Sequence, residues 1–344
     1  MSPHITAERV PKRTAVIGAG SWGTALALVA ARGNHRVSIW AREPEVAQSI
    51  QERHQNPYYL SDFTLPEAIT ATISVAEALA GADFCLLVVP SHAMREVARA
   101  IRPCLSAATL IVTATKGIEN VTLMRMSEVL VDELGAGFEQ QIVALSGPSF
   151  ALEVARGEPT AIVAAGMSIK ACERVQREFS SQVFRIYTNS DLIGVELGGA
   201  LKNVVAIATG VVRGLGYGTN AVAAIITRGL AEVTRLATAR GARAETMAGL
   251  AGLGDLVLTC TGELSRNRYV GIELGRGRKL AEIVSGMREI AEGVRTTKAI
   301  YELGRQMNVD MPITASIYAL LYEDKPALEA ASELMDRPLK REGG

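Results

Sequence analysis

Along the first half of the chain, apolar residues come in short runs separated by glycine, proline and polar turns. Residues 14–17 form a run with β-branched members closed by glycines, and predict a strand. Residues 24–31, rich in Ala and Leu, predict a helix that stops near Gly33 and Asn34. A second strand is expected over 36–40 and a helix over 43–51. Another helix is expected over 73–80, with Ser74 as its N-cap. Residues 84–89, 109–113 and 142–145 read as further strands, the first ended by Pro90 and the last by Gly147 and Pro148. Strands that are apolar throughout are buried on both faces. Their alternation with helices predicts an α/β, doubly wound parallel sheet of Rossmann type.

The pattern then changes. After an expected strand at 184–187, long stretches of Ala, Leu, Val and Gly predict helices over 192–212, 221–239, 280–285, 296–307 and 312–321. The expected organisation is a disordered tail over 1–12, a dinucleotide-binding domain over 13–190 and an all-α substrate-binding domain over 191–337. No internal repeat or low-complexity linker separates the two domains, so a close interface between them is expected.

Composition narrows the partners. A chain of 344 residues is too long for one ordinary core, which agrees with two domains. Lys plus Arg equals Asp plus Glu, 36 against 36, so no net field draws the protein to nucleic acid or anionic membrane. A phosphate must therefore be caught by local arrangement. Cys85, Cys104, Cys172 and Cys260 are scattered singly, with no zinc-like spacing, and no metal is expected. The first residues carry His4, Glu8 and Arg9 but no apolar run, and no apolar stretch of about 20 residues lacks a charge or a break. A cytoplasmic protein without a membrane span is the expectation.

The turn Gly18-Ala19-Gly20-Ser21-Trp22-Gly23 ends an expected strand and opens an expected helix. That context makes a GxGxxG pattern a dinucleotide site. Gly18 permits the tight turn, Gly20 the approach of the pyrophosphate, and Gly23 close packing of helix on strand. The helix N-terminus offers free N–H groups and a partial positive charge to phosphate. At the end of the second strand, an NAD-only site usually carries Asp or Glu. Here the chain reads Trp40-Ala41-Arg42, with Glu43 one place later. Arg42 can pair with a 2′-phosphate or stack on adenine, which points toward NADPH being accepted; the alternative is a solvated surface arginine.

Three loops follow expected strands on the edge where open sheets bind ligands: Pro90-Ser91-His92, Thr115-Lys116-Gly117 and Ser146-Gly147-Pro148-Ser149. In the later segment ELGGALKNVV, Lys202 lies in the most apolar expected helix, with Gly198 and Gly199 on its face. Each mid-helix glycine costs about 1 kcal/mol against alanine. A small ligand resting on that bare face is the expected compensation, the alternative being close helix packing and a lysine paired with a carboxylate. A half-desolvated lysine has a lowered pKa and suits proton transfer near neutrality. Asp255, after Gly252-Leu253-Gly254, either caps a helix or faces Lys202; composition does not decide. Ser265-Arg266-Asn267-Arg268 is a cluster of donors suited to a phosphate, or an ordinary solvated loop.

Taken in order, GAGSWGT (18–24), VPSHAMR (89–95), TKGIE (115–119), GPSFALE (147–153), ELGGALKNV (196–204), GLGD (252–255), SRNR (265–268) and AEGVRT (291–296) resemble the NAD(P)-dependent glycerol-3-phosphate dehydrogenases of bacterial type. The resemblance spans about residues 13–337. It implies reversible reduction of dihydroxyacetone phosphate to sn-glycerol 3-phosphate with NADPH or NADH, supplying glycerophospholipid synthesis. Lys202 matches the family's proton donor and acceptor. Lys116, Gly147, Ser149, Asp255, Ser265, Arg266 and Asn267 match substrate contacts. Ser21, Trp22, Arg42, Ala151 and Glu292, together with Lys116 and Arg266, match cofactor contacts. Eukaryotic members carry an aromatic in the loop after Pro90 where this chain has Ala93 and Met94, so that contact is not carried over. A homodimer is a family-level expectation. Two rival readings remain: a related two-domain dehydrogenase such as ketopantoate reductase, and a dinucleotide-sensing protein without catalysis.

Overall fold

A computed structural model describes residues 10–287 and 291–336. The frayed tail expected over 1–12 therefore lies outside the described residues up to position 9. Eight strands form one sheet: β1 (Arg13–Ile17), β2 (Arg36–Trp40), β3 (Ile69–Thr72), β4 (Phe84–Leu87), β5 (Leu110–Thr113), β6 (Ile142–Ser146), β7 (Thr160–Gly166) and β8 (Phe184–Asn189). Their order is β3-β2-β1-β4-β5-β6-β7-β8. The order reverses beside β1, so the crevice between β1 and β4 is the topological switch point where such sheets bind ligands.

Alternation within the strands explains the layers. Val16, Leu86, Val112 and Val143 point to one face, under the helices Ser21–Arg32 and Ile169–Phe179. Ala15, Ile17, Cys85, Leu87 and Ile111 point to the other, under Met94–Ile101 and Met126–Leu134. Both faces are covered, which is why these strands carry no polar alternation. Each fully buried Leu or Ile contributes about 1.5–3 kcal/mol relative to exposure. Ser74 caps the helix Val75–Leu79, its hydroxyl accepting from the Glu77 amide at 3.3 Å.

The doubly wound parallel sheet is as expected, with one exception in its pairing. β7 runs antiparallel to β6, Ser146 opposite Val163, while the other pairings are parallel. The short turn after the helix Ala151–Arg156 returns the chain directly along β6. Because of this reversal, β8 ends at the opposite edge from the switch point. The next helix, Leu192–Gly214, starts there and runs back along β6. Its first turns pack Leu192 and Val195 on Ala144, Val163 and Ala165. Its middle thereby arrives at the ligand edge.

Beyond β8 the described residues hold only helices. Leu192–Gly214 is their axis and is buried over nearly its whole length. It is long and apolar enough to cross a bilayer by length and composition, yet its most apolar stretch is wholly buried inside the protein. The helix Arg266–Gly275, whose sequence reads as a donor cluster or a loop, lies against it in backbone contact. A Cβ on Gly210 or Gly214 would overlap the Arg268 or Ile272 carbonyl. A second correction concerns Gly198 and Gly199. Their face is filled by protein: a Cβ would lie 2.6 Å from the Ala251 carbonyl at Gly198 and 2.5 Å from Ser146 Oγ at Gly199. Close packing, not a bare ligand shelf, compensates the glycines.

Candidate functional site

The dinucleotide turn has the geometry its sequence implies. Gly18 stands at φ +120°, where a Cβ would meet the Val88 carbonyl at 2.5 Å. Its amide bonds the Trp40 carbonyl at 3.1 Å, tying β1 to the end of β2. A Cβ on Gly23 would overlap the Gly18 carbonyl. Gly20 is the N-cap of Ser21–Arg32, which has no side-chain cap and no acid in its first turn. The first-turn amides at Ser21, Trp22 and Gly23 therefore favour an anion. The cradle fits a dinucleotide pyrophosphate. Sequence reading misses its brace. Asn56, fully buried, donates to the Ala19 carbonyl and to Thr24 Oγ1, both at 2.9 Å, and accepts from the amides of Tyr58 and Tyr59. Its only sequence signal is a polar residue in a Pro/Tyr-rich loop.

Arg42 follows β2, its side chain 82% exposed, and pairs with Glu43 at 2.7 Å. Glu292 opens the helix Glu292–Gln306 and reaches the loop after β4, where the Ser91 amide and hydroxyl donate to its carboxylate at 3.2 and 2.8 Å. Gly117 faces the same pair: a Cβ there would lie 2.6 Å from Ser91 Cβ and 3.8 Å from Glu292 Oε2. Burial and the nearby Arg295 lower the pKa of His92 in this loop. Met94 is fully buried beneath its helix, so it packs in the core. Ala151 opens the helix Ala151–Arg156, which lies against the helix of the dinucleotide turn.

The two halves meet at one carboxylate. Asp255 is 1% exposed and starts the helix Asp255–Thr261, directly after a π turn at Leu250–Gly254. Helix geometry of this kind is frequent at functional positions. One Asp255 oxygen accepts from Lys202 Nζ; the other accepts from Lys116 Nζ at 2.7 Å. Asp255 thus answers the question its sequence leaves open, both facing Lys202 and occupying a helix N-terminus. Lys202 is 7% exposed. Burial lowers its pKa; Asp255 raises it and Lys116 lowers it further, and the balance sits at about 7. Lys116 Nζ also donates to the Gly147 carbonyl at 3.1 Å, as does Ser149 Oγ at 3.0 Å. Gly147 stands at φ +141°, where a Cβ would come within 2.9 Å of Ile162 Cα.

Of the donor cluster, Ser265 caps its helix by accepting from the Arg268 amide at 3.2 Å. Arg266 sits exposed in the first turn. Asn267 is buried, donating to Asn203 Oδ1 and accepting from the Gly293 amide, both at 2.9 Å. Two polar groups at this site are not singled out by sequence reading. They are Asn203, next to Lys202 in sequence, and Thr259, whose hydroxyl donates to the Asp255 carbonyl at 2.6 Å. Lys202, Lys116, Asp255, Gly147 and Ser149 are thus in one connected cluster. Glu292, Ser91 and Gly117 form a second, joined to it through the loop of Lys116.

Comparison with known proteins agrees across the chain. A family model described as the NAD-dependent glycerol-3-phosphate dehydrogenase N-terminus matches residues 13–172, and one described as its C-terminus matches residues 191–332. A glycerol-3-phosphate dehydrogenase [NAD(P)+] from Koribacter versatilis is 54% identical over 328 residues, 95% of this chain and 97% of that protein. The crystal structure of a glycerol-3-phosphate dehydrogenase from Coxiella burnetii superposes with a TM-score of 0.90 at 40% identity, covering 95% of this chain and 99% of that one. A ketopantoate reductase from Ralstonia eutropha, at 19% identity and a TM-score of 0.61 over 94% of this chain and 99% of that one, shares the fold alone.

Proposed function

This chain belongs to the NAD-dependent glycerol-3-phosphate dehydrogenase family, and from that premise we propose that it interconverts dihydroxyacetone phosphate and sn-glycerol 3-phosphate with NADH or NADPH, Lys202 being the proton donor and acceptor. The observation that carries this reading is the single buried carboxylate of Asp255 shared by Lys202 and Lys116.

Bound nicotinamide supplies the hydride for the carbonyl carbon. The protein's part is charge and position. Negative charge grows on the carbonyl oxygen as the ketone is reduced, and a protonated Lys202 gives it a proton. A pKa near 7 lets the same lysine take the proton back in the oxidation direction. Asp255 aims Lys202 and anchors Lys116. With Lys202 protonated, two ammonium groups around one carboxylate leave a net positive charge, which suits an anionic substrate. Gly147 and Ser149 shape the wall beside Lys116. Arg266, Asn267 and Ser265 take the phosphate end, Arg266 also reaching the cofactor. That remote grip sets the carbonyl for hydride transfer. Glu292, held by Ser91, joins Ser21, Trp22, Arg42 and Ala151 around the dinucleotide. The boundary between a dinucleotide-binding and a substrate-binding domain falls between β8 and the helix Leu192–Gly214, near residue 190. The product is the backbone unit of glycerophospholipids, and we assign the enzyme to that supply, in the cytoplasm and as a homodimer.

The test is a substrate panel with NADH and NADPH. Turnover is expected with dihydroxyacetone phosphate, and none with ketopantoate or other non-phosphorylated ketones. Turnover only of a non-phosphorylated ketone, or stoichiometric cofactor binding without turnover, overturns the assignment.

A further inference from the structure

Glu196 is buried in the same helix as Lys202, six residues earlier, about 9 Å along the axis. It takes no part in the cluster around Asp255. Its carboxylate leaves the helix toward the sheet domain and lands on the N-terminus of the helix Met126–Leu134. There it accepts from the Ser127 amide at 2.8 Å, the Ser127 hydroxyl at 2.6 Å and the guanidinium of Arg125. Every one of these partners is in the other half of the molecule. Burial pushes the Glu196 carboxyl up, and Arg125 and Ser127 pull it back.

Arg125 leads on to the site. It is bridged antiparallel to Ile118, two residues after Lys116. Its own amide donates to Glu128 Oε2 at 2.8 Å and its guanidinium to Glu128 Oε1 at 2.9 Å, which fixes the helix start. A continuous set of polar contacts thus joins the helix of Lys202 to the loop of Lys116. Asp255 is a second buried carboxylate that ties these two segments together. The glycine contacts at Gly198 and Gly199 set how closely the helix approaches, and the Lys116 stem packs on Gly199; the Glu196 carboxylate adds directional bonds to that contact.

We infer that Glu196 is a positioning residue: through Ser127, Arg125 and the bridge to Ile118 it sets where Lys202 stands relative to Lys116. The inference rests on the proposed roles of those lysines. Replacing the Glu196 carboxylate by an amide leaves Arg125 paired with Glu128 alone and weakens the charge-assisted bonds from Ser127 and Arg125, so the helix and the loop lose their common anchor. Displacement of about 1 Å at reacting groups costs on the order of 100-fold in rate. The dinucleotide turn at Gly18–Gly23 and its helix take no part in the bonds of Glu196, Ser127 and Arg125, so the main grip on the cofactor is separate from this latch.

The experiment compares Glu196→Gln with Lys202→Ala in the full chain. NADH binding supplies the dissociation constant and the number of competent sites, and kcat for dihydroxyacetone phosphate is normalised to those sites. Glu196→Gln is expected to lower kcat about 10- to 100-fold while the NADH dissociation constant stays within about twofold. A kcat within about twofold of wild type overturns the inference, as does a loss that vanishes on normalising to competent sites, which marks mere destabilisation. If Glu196→Gln yields no folded protein, Ser127→Ala carries the test, removing one hydroxyl donor while keeping the amide; about a threefold to tenfold loss of normalised kcat is then expected, and none overturns it. Full loss in Lys202→Ala beside wild-type kcat in Glu196→Gln removes the latch alone. Near-wild-type kcat in Lys202→Ala removes the reading beneath it.

Discussion

Lys116 Nζ lies 2.7 Å from a carboxylate oxygen of Asp255 whose other oxygen belongs to Lys202. The loop after β5 and the axial helix therefore converge on one residue of a third element. One carboxylate keeps both lysines ordered, and the protonation of Lys202 then determines how the activity responds to pH.

Lys202 is held at about pH 7 by burial, partly countered by Asp255. Ketone reduction needs its ammonium form, so kcat/KM for dihydroxyacetone phosphate is expected to fall as pH rises through about 7. Alcohol oxidation needs the neutral amine, so kcat/KM for sn-glycerol 3-phosphate is expected to fall as pH drops through the same region. In Asp255→Asn the raising charge is gone, and both limbs move to lower pH. Profiles in the two directions check this; limbs that stay put in the variant contradict it.

Arg42 pairs with an exposed neighbour, Glu43, and such pairs are worth about 0–1 kcal/mol. A charge-assisted bond to a 2′-phosphate is worth about 1.5–3 kcal/mol, so exchange of partners is favourable. Arg42→Ala is expected to lower the NADPH-to-NADH ratio of kcat/KM about tenfold or more. An unchanged ratio means that Arg42 does not read the phosphate.

His35 is buried beneath the sheet against Phe179 and Phe84, with Thr14 Oγ1 2.8 Å from its Nδ1. Burial lowers its pKa below the ordinary 6.5, so the unfolded chain takes up a proton more readily than the folded one. His35 therefore adds no acid sensitivity above about pH 6.5 and destabilises progressively below it. Denaturant midpoints measured from pH 7.5 to 5 are expected to fall for wild type and to fall less for His35→Gln. Equal slopes contradict the assignment.

How much of this is legible in the sequence depends on the range of the interaction. The strands β1, β4, β5 and β6 stand out because burial on both faces makes them almost wholly apolar, and β2 and β8 because buried apolar residues alternate with outer positions. β3 and β7 do not. Ile69–Thr72 is a short edge strand with little burial, and Thr160–Gly166 is built largely of Ala, Gly and Thr, which carry no clear period. The helix after Ser265 is hidden by a polar first turn, although its cap is in plain view. The dinucleotide turn is local and reads directly. The meeting of Lys202 with Asp255, 53 positions apart, and with Lys116 depends on β7 reversing against β6, which no residue pattern announces. For the same reason Gly198 and Gly199 look like a bare face in sequence when Ala251 and Ser146 cover it. The family's motifs in order supply the long-range relation that composition and spacing do not.

The most direct test is kcat for dihydroxyacetone phosphate in wild type and Lys202→Ala, with cofactor binding measured on the same samples. The structure leads to turnover in wild type, a loss of about 1000-fold or more in the variant, and an NADH dissociation constant changed by no more than about threefold. Near-wild-type kcat in Lys202→Ala would contradict the assignment of Lys202 as the proton donor and, with it, the functional meaning given to its pairing with Asp255.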